Sequence, residues 1–328
     1  MEKKQDNLME ISDLTVRYNT DDAVVHAVNN FNLKLVRGEA RGLVGETGAG
    51  KTTLALSILR LLPERVGEVT GGSIVYDGQE LLNLPEAEML PLRGKRISMI
   101  FQDPMTSLNP TQTVGDQILE VLNLHFPEMT REEKNKRVDE MMTLVGIPPQ
   151  RKKSFPHEFS GGMKQRVVIA MALVAEPELL LADEPTTALD VTIQAQILEL
   201  MKQLREKFNT SVMLITHDLG VVAQFCDSVS VVYAGRVEYG PVEIVFQRKE
   251  NHPYTAGLFN CIPNLHDDQP RLHPIAGHMA DPRVEYKGCC FADRCEYATE
   301  RCRTEAPSMH VCGEHGILCH RYVEKEEF

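Results

Sequence analysis

No stretch of this sequence is apolar for long. The longest runs, such as Val167–Ala175 (VVIAMALVA), fall far short of the roughly 18 residues that would suggest a membrane-spanning helix. The opening MEKKQDNLMEISDL holds no apolar segment of signal-peptide type. A soluble cytosolic protein is the expectation, with any membrane attachment supplied by partners. Positive charge is also in short supply: 35 Lys+Arg against 47 Asp+Glu give a formal net charge of −12. Gripping nucleic acid or anionic lipid by bulk charge needs a basic surface, so that class of activity is disfavoured. No internal repeat is apparent. Cysteine is scarce over most of the chain, with only Cys226 and Cys261 before residue 289.

What is present is ordinary globular composition. The 328 residues are 42% hydrophobic and 25% charged, which argues against disorder. At roughly 150 residues per domain, that length suits one large domain or two modest ones. The remaining cysteines, Cys289, Cys290, Cys295, Cys302, Cys312 and Cys319, crowd the end of the chain. Without a secretion signal, clustered thiols read as metal ligands before they read as disulfides. Composition shifts near Glu250: NHPYTAGLF, RLHPIAG and HMADPR are rich in His, Pro and Asp and show little periodicity. A boundary is expected there, giving a main domain over 1–250 and a small loop-rich extension over 251–328.

Four short apolar runs of the main domain each end in polar residues. Arg41–Val44 runs into GETGAGKTT, Arg96–Phe101 into Gln102-Asp103, Leu179–Ala182 into Asp183-Glu184, and Val212–Thr216 into His217-Asp218. Such runs, separated by helical stretches, predict buried parallel strands in an α/β fold. Ligands collect at the carboxyl ends of such strands. Any one ending suits an ordinary strand-exit turn; four together point to a shared site.

The first ending carries the most information. Gly45-Glu46-Thr47-Gly48-Ala49-Gly50-Lys51-Thr52 fits GxxxxGK[ST] between a strand and a helix beginning TTLALSILRLL. Its glycines let backbone N–H groups point at phosphate oxygens, and the helix start adds partial positive charge. Lys51 suits the β- and γ-phosphates and the Thr52 hydroxyl suits Mg²⁺. Asp183 suits a carboxylate holding Mg²⁺, and Glu184 beside it would point differently, as a base or orienter for water. Phe159-Ser160-Gly161-Gly162-Met163-Lys164-Gln165 opens the apolar helix MKQRVVIAMALVAEP with Ser160 as a good N-cap. It is either a second anion site or merely a capped helix.

Together these residues resemble the nucleotide-binding subunit of an ATP-binding cassette (ABC) transporter over roughly residues 9–250. The loop at 45–52 resembles Walker A, Gln102 the Q-loop, 159–165 the signature, 179–184 Walker B, Thr187-Ala188-Leu189-Asp190 the D-loop and His217 the switch histidine. The resemblance implies a P-loop ABC-type domain with a RecA-like core and a helical subdomain at about 103–160 that touches membrane partners. It implies that ATP and Mg²⁺ are bound by the 45–52 loop with Thr53, by Gln102 and Asp183, and by Ser160, Gly161, Gly162 and Asp190. Glu184 and His217 would position the attacking water. Tyr18, in LTVRY, is the aromatic expected to stack on adenine, with ordinary strand packing as the alternative.

The tail narrows the likeness. His252–Leu258, Ile262-Pro263, Ile275–Gly277 and Gly288–Cys295 resemble the C-terminal extension of oligopeptide/dipeptide importer ATPases. The intervals Cys289-x5-Cys295-x6-Cys302-x16-Cys319 are wider than common zinc knuckles and suit Zn²⁺ or iron–sulfur. The resemblance favours a [4Fe-4S] cluster on those four, with zinc second and a structural role. Cys290 departs from the family, which usually has Pro there, and Cys312 is an extra thiol. The resemblance further implies a second ABC ATPase subunit (usually a paralogue), two permeases and an extracytoplasmic binding protein, with this chain at the cytoplasmic face of the membrane. Its cargo would be peptides, or alternatively nickel or another small solute. Repair or chromosome ATPases carry long coiled coils, absent between Gln102 and Ser160, and translation factors carry two cassettes. A nonenzymatic metal-binding module is disfavoured by the intact phosphate loop.

Overall fold

The computed structural model of the chain describes residues 6–187, 189–247, 249–262 and 274–322. Of the residues carrying the resemblance, Ala188 and Pro263 lie outside them. In chain order the strands are β1 Asn7–Asn19, β2 Val24–Val36, β3 Ala40–Val44, β4 Gly67–Tyr76, β5 Gln79–Glu80 and β6 Ile97–Ile100. They continue with β7 Leu179–Asp183, β8 Ser211–Thr216, β9 Ser228–Val232, β10 Arg236–Pro241, β11 Met309–Cys312 and β12 His315–Leu318. The chain forms two compact units. One comprises Met1–Leu8, Leu35–Ala40 and Asn83–Ile215; the other comprises Met9–Lys34, Arg41–Leu82 and Thr216–Phe328.

In the first unit β6, β7 and β8 lie side by side and parallel, with Ile97 opposite Leu179 and Leu179 opposite Ser211. All residues of β7 and β8 are buried, the pattern of strands covered on both faces. The predicted runs thus became strands, with ends displaced by about one residue. Ahead of β6 and β7, Glu178 accepts from Arg96 Nε at 2.7 Å and from Arg37 Nη1 at 2.9 Å. The Arg96 guanidinium, then Arg37, holds its carboxyl below the usual carboxylate range. Between β6 and β7 the chain is helical, without strands among the described residues. The main helices there are Val114–His125 and Arg131–Leu144. Thr113 caps the first by accepting from the Asp116 N–H. Thr130 and Glu133 form a reciprocal capping box on the second.

In the second unit β2-β1-β4-β5 form one sheet, with β1 and β4 antiparallel. The order β11-β12-β10-β9-β3 makes the other group, with β3 and β9 parallel and the rest antiparallel. Residues 274–299 are turns and loop, whereas β11 and β12 form a hairpin that joins the sheet through β10, pairing Glu238 with Ile317. Gly313 makes the turn possible with φ +57°. Inside this attachment Glu238 is fully buried and accepts from Asn251 Nδ2 at 2.8 Å and the His252 N–H at 2.9 Å. His315 Nε2 lies 2.8 Å from the same carboxylate.

Candidate functional site

The candidate residues fall in both units. In the second, β3 delivers the chain into the glycine loop and the helix Lys51–Ile58 leaves it. The loop fits only without side chains at its two ends. A Cβ on Gly45 would stand 2.2 Å from the Val232 carbonyl oxygen; one on Gly50 would stand 2.1 Å from that of Ala27. Gly50 also has φ +90°, which L side chains rarely adopt. Thr47, Gly48 and Thr52 are exposed, whereas Ala49 is buried. Lys51 is 7% exposed and curls onto its own loop, donating to the carbonyls of Gly45 at 2.7 Å and Glu46 at 2.9 Å. The Tyr18 hydroxyl lies 3.1 Å from that of Thr53, which puts the half-buried aromatic beside the start of this helix.

Glu46 is oriented by residues that the sequence did not single out. Its N–H donates to the Tyr254 hydroxyl at 3.0 Å, and its carboxylate meets both terminal nitrogens of Arg294 at 2.7 and 3.0 Å. Arg294 was visible only as one letter of the cysteine motif. Nothing local marked it as a partner of the loop.

In the first unit the strand ends carry the expected polar groups. Asp183 is 2% exposed at the end of β7. Glu184 follows at φ +47°, outside the extended backbone of the strand. Its N–H donates to the Ile215 carbonyl at 2.9 Å. Its carboxylate accepts from Gln102 Nε2 at 3.1 Å and from the Thr187 hydroxyl at 2.9 Å. His217, which follows β8 and belongs to the second unit, is exposed; Asp218 after it caps the helix Leu219–Phe225.

The signature segment holds a surprise. Ser160 occupies the N-cap position of the helix Gly161–Leu173, but its side chain makes no capping bond. Gly162 has a packing reason of its own, since a Cβ there would stand 2.6 Å from Cγ2 of Ile193. Asp190 is a cap: it accepts from the Ile193 N–H at 2.9 Å at the start of the helix Val191–Phe208.

All eight cysteines are free thiols. Burial pushes the Cys289 thiol up to about 12, with Cys290, Cys319 and Cys302 adding to it. Burial also raises Cys319, with Cys295 and Cys302 adding, and raises Cys295, with Cys302 and Glu296 adding. Cys302 thus acts on Cys289, Cys295 and Cys319 alike. Cys302 also anchors the segment, its carbonyl accepting the Cys289 N–H at 2.8 Å. Among the described residues no three His, Cys, Asp or Glu side chains converge as for one metal ion.

Comparison with known proteins accords with this geometry. Residues 28–187 match the family model described as ABC transporter, and residues 237–302 that of the oligopeptide/dipeptide transporter C-terminal region. The oligopeptide transport ATP-binding protein OppD of Haemophilus influenzae is 47% identical, covering 98% of each chain. OppD of Salmonella typhimurium is 50% identical over 92% of this chain and 89% of its own. Among solved structures, cbiO1 of Clostridium perfringens, part of the ABC transporter complex cbiONQ, superposes with a TM-score of 0.65. It is 29% identical and covers 75% of this chain and 93% of its own. A dimeric ATP-binding cassette bound to ADP and Pi gives a TM-score of 0.64 at 28% identity, covering 71% and 98%. With whole-length identity near one half and both matching regions in order, the chain belongs to the ATP-binding subunits of ABC transporters, in the oligopeptide/dipeptide group.

Proposed function

We propose that this chain is the ATP-hydrolysing subunit that energises import of di- or oligopeptides across the cytoplasmic membrane. What supports the reading is the whole-length likeness to OppD proteins, whose name states oligopeptide transport. Nothing among those relatives favours the nickel alternative. The chain works peripherally, at the cytoplasmic face, on two permeases fed by an extracytoplasmic binding protein; no helix among the described residues is long and apolar enough to cross a membrane. Its nucleotide-binding domain is residues 1–250, with helical subdomain 103–160 against the permeases, and 251–328 is the extension.

The chemistry is positioning and charge stabilisation of phosphoryl transfer. Lys51 leaves the Gly45 and Glu46 carbonyls for the β- and γ-phosphates, while the N–H groups from Thr47 to Thr53 wrap them. Tyr18 stacks on adenine. Thr52, Gln102 and Asp183 offer the oxygen donors that a hard divalent cation takes, and Mg²⁺ supplies neutralisation of the phosphate charge. Glu184, held by Gln102 and Thr187, orients the attacking water with His217. Ser160, Gly161, Gly162 and Asp190 serve the facing ATPase subunit, a paralogue, so ATP binding closes the pair and hydrolysis releases it. Its exposed Ser160 hydroxyl, unused as a cap, suits that role.

Cys289, Cys295, Cys302 and Cys319 hold a [4Fe-4S] cluster that staples a segment with little core. What supports the reading is a set of four free thiols in one short segment, the ligand type and number that such a cluster takes. Metal binding requires thiolates, so the raised thiols imply that the metal's own charge drives their deprotonation. In proteoliposomes with its permeases and binding protein, the chain should couple ATP hydrolysis to accumulation of labelled peptide. Stimulation by nickel with none by peptides would overturn the assignment.

A further inference from the structure

The phosphate loop is held from two sides. From within, the Glu46 carbonyl accepts both Lys51 Nζ at 2.9 Å and the Ala49 N–H at 3.2 Å, so the orientation of Glu46 governs where the lysine rests. From without, Glu46 gives its N–H to the Tyr254 hydroxyl and its carboxylate to the two-pronged guanidinium of Arg294. A fork bonded at two points sets angle as well as distance.

Those outside partners are themselves immobilised. The Arg294 side chain is 5% exposed, and its Nε donates to the Ala276 carbonyl at 3.1 Å. Its guanidinium carbon stands 5.6 Å from the Tyr233 ring centroid and 5.9 Å from that of Phe291. Tyr254 is fully buried, with its ring 4.7 Å from Tyr233 and 5.4 Å from Phe291. A solvated surface ion pair would contribute little. This one has a buried, clamped partner and ends on a loop whose backbone directions are the binding site.

We infer that Arg294 and Tyr254 are positioning residues of the nucleotide site, through which the C-terminal extension braces the phosphate loop of its own chain and sets ATP affinity. The inference rests on the reading that this loop binds the phosphates of ATP. Bracing means that the loop's donors are aimed before the nucleotide arrives, and donors left to wander bind less tightly.

Two variants that keep the charge test it. Arg294→Lys retains the positive charge and loses the fork; Tyr254→Phe retains the ring and loses only the acceptor for the Glu46 N–H. Measured by calorimetric titration of MgATP into the full chain, each should weaken affinity about five- to tenfold. In steady-state assays Arg294→Lys should raise KM for ATP with kcat kept within about twofold, because Arg294 does not touch the reacting atoms. A role confined to holding the extension would lower the thermal midpoint and leave affinity alone. Affinities within about twofold of wild type in both variants would overturn the brace. If Arg294→Lys does not fold, Tyr254→Phe decides by the same criterion. A wild-type chain that binds no MgATP would instead defeat the nucleotide site itself, and the brace with it.

Discussion

Gln102 donates a hydrogen bond to Glu184 across 3.1 Å although 82 positions separate them in the chain. The register explains it. Ile100 stands opposite Ala182 in the parallel pair β6–β7, so the residues two beyond each leave from the same edge. Glu184, at φ +47°, accepts there from both Gln102 and the Thr187 hydroxyl.

That geometry makes Glu184→Gln informative, because it preserves shape and removes the charge. The variant should bind MgATP as the wild type does and lose turnover by about a hundredfold or more. Phosphate release measures the loss, and gel filtration in ATP should show the closed pair accumulating. Near-normal hydrolysis would remove Glu184 from the chemistry.

Lys51→Ala deletes the ammonium that now bridges the Gly45 and Glu46 carbonyls. Nucleotide affinity should fall by about tenfold or more, since a charge-assisted contact to phosphate is lost. Titration with a fluorescent ATP analogue reads it. Unchanged affinity would mean that the loop does not hold phosphates.

His252 supplies a pH dependence. It is buried, caps the helix Pro253–Asn260 by accepting the Tyr254 N–H on Nδ1, and burial lowers its pKa from 6.5 to about 3. Protonation therefore favours the unfolded chain. Its contribution to stability is whole above pH 6.5 and falls as pH drops toward 3, by about 1.4 kcal/mol per pH unit. His252→Asn keeps a capping acceptor and loses the titration. Denaturant melts of the two proteins from pH 7 to pH 4 should converge as acid is added. Parallel curves would show that His252 does not stay neutral.

Anaerobically purified protein should absorb broadly in the visible and carry about four irons per chain. Cys295→Ser should lose colour and iron together, whereas Cys312→Ser should keep both, because the proposed ligands are Cys289, Cys295, Cys302 and Cys319. A colourless wild type with one zinc would replace the cluster by a mononuclear site.

Much of the site was legible as local pattern. Walker-type spacing and the polar residues after four apolar runs need only neighbours in sequence, and the strands appeared within about a residue of those runs. Other residues were legible in kind but doubled in use. Gly162 clears Ile193 as well as opening the signature turn, and Asp190 caps a helix whatever else it meets. The hairpin β11–β12 was missed because its strands are short and half polar, with no alternation long enough to register.

By itself the sequence determined the chemistry available: a glycine-lined loop with its lysine, a carboxylate doublet, a glutamine, a histidine and a group of thiols. These are set by residue type and spacing over a few positions, where backbone geometry is local. Only the tertiary structure decided which of them answer to one another. Glu46 and Arg294 lie 248 positions apart and meet through two hydrogen bonds. No periodicity encodes such a contact, because it follows from where the packed strands and aromatic rings hold the two side chains.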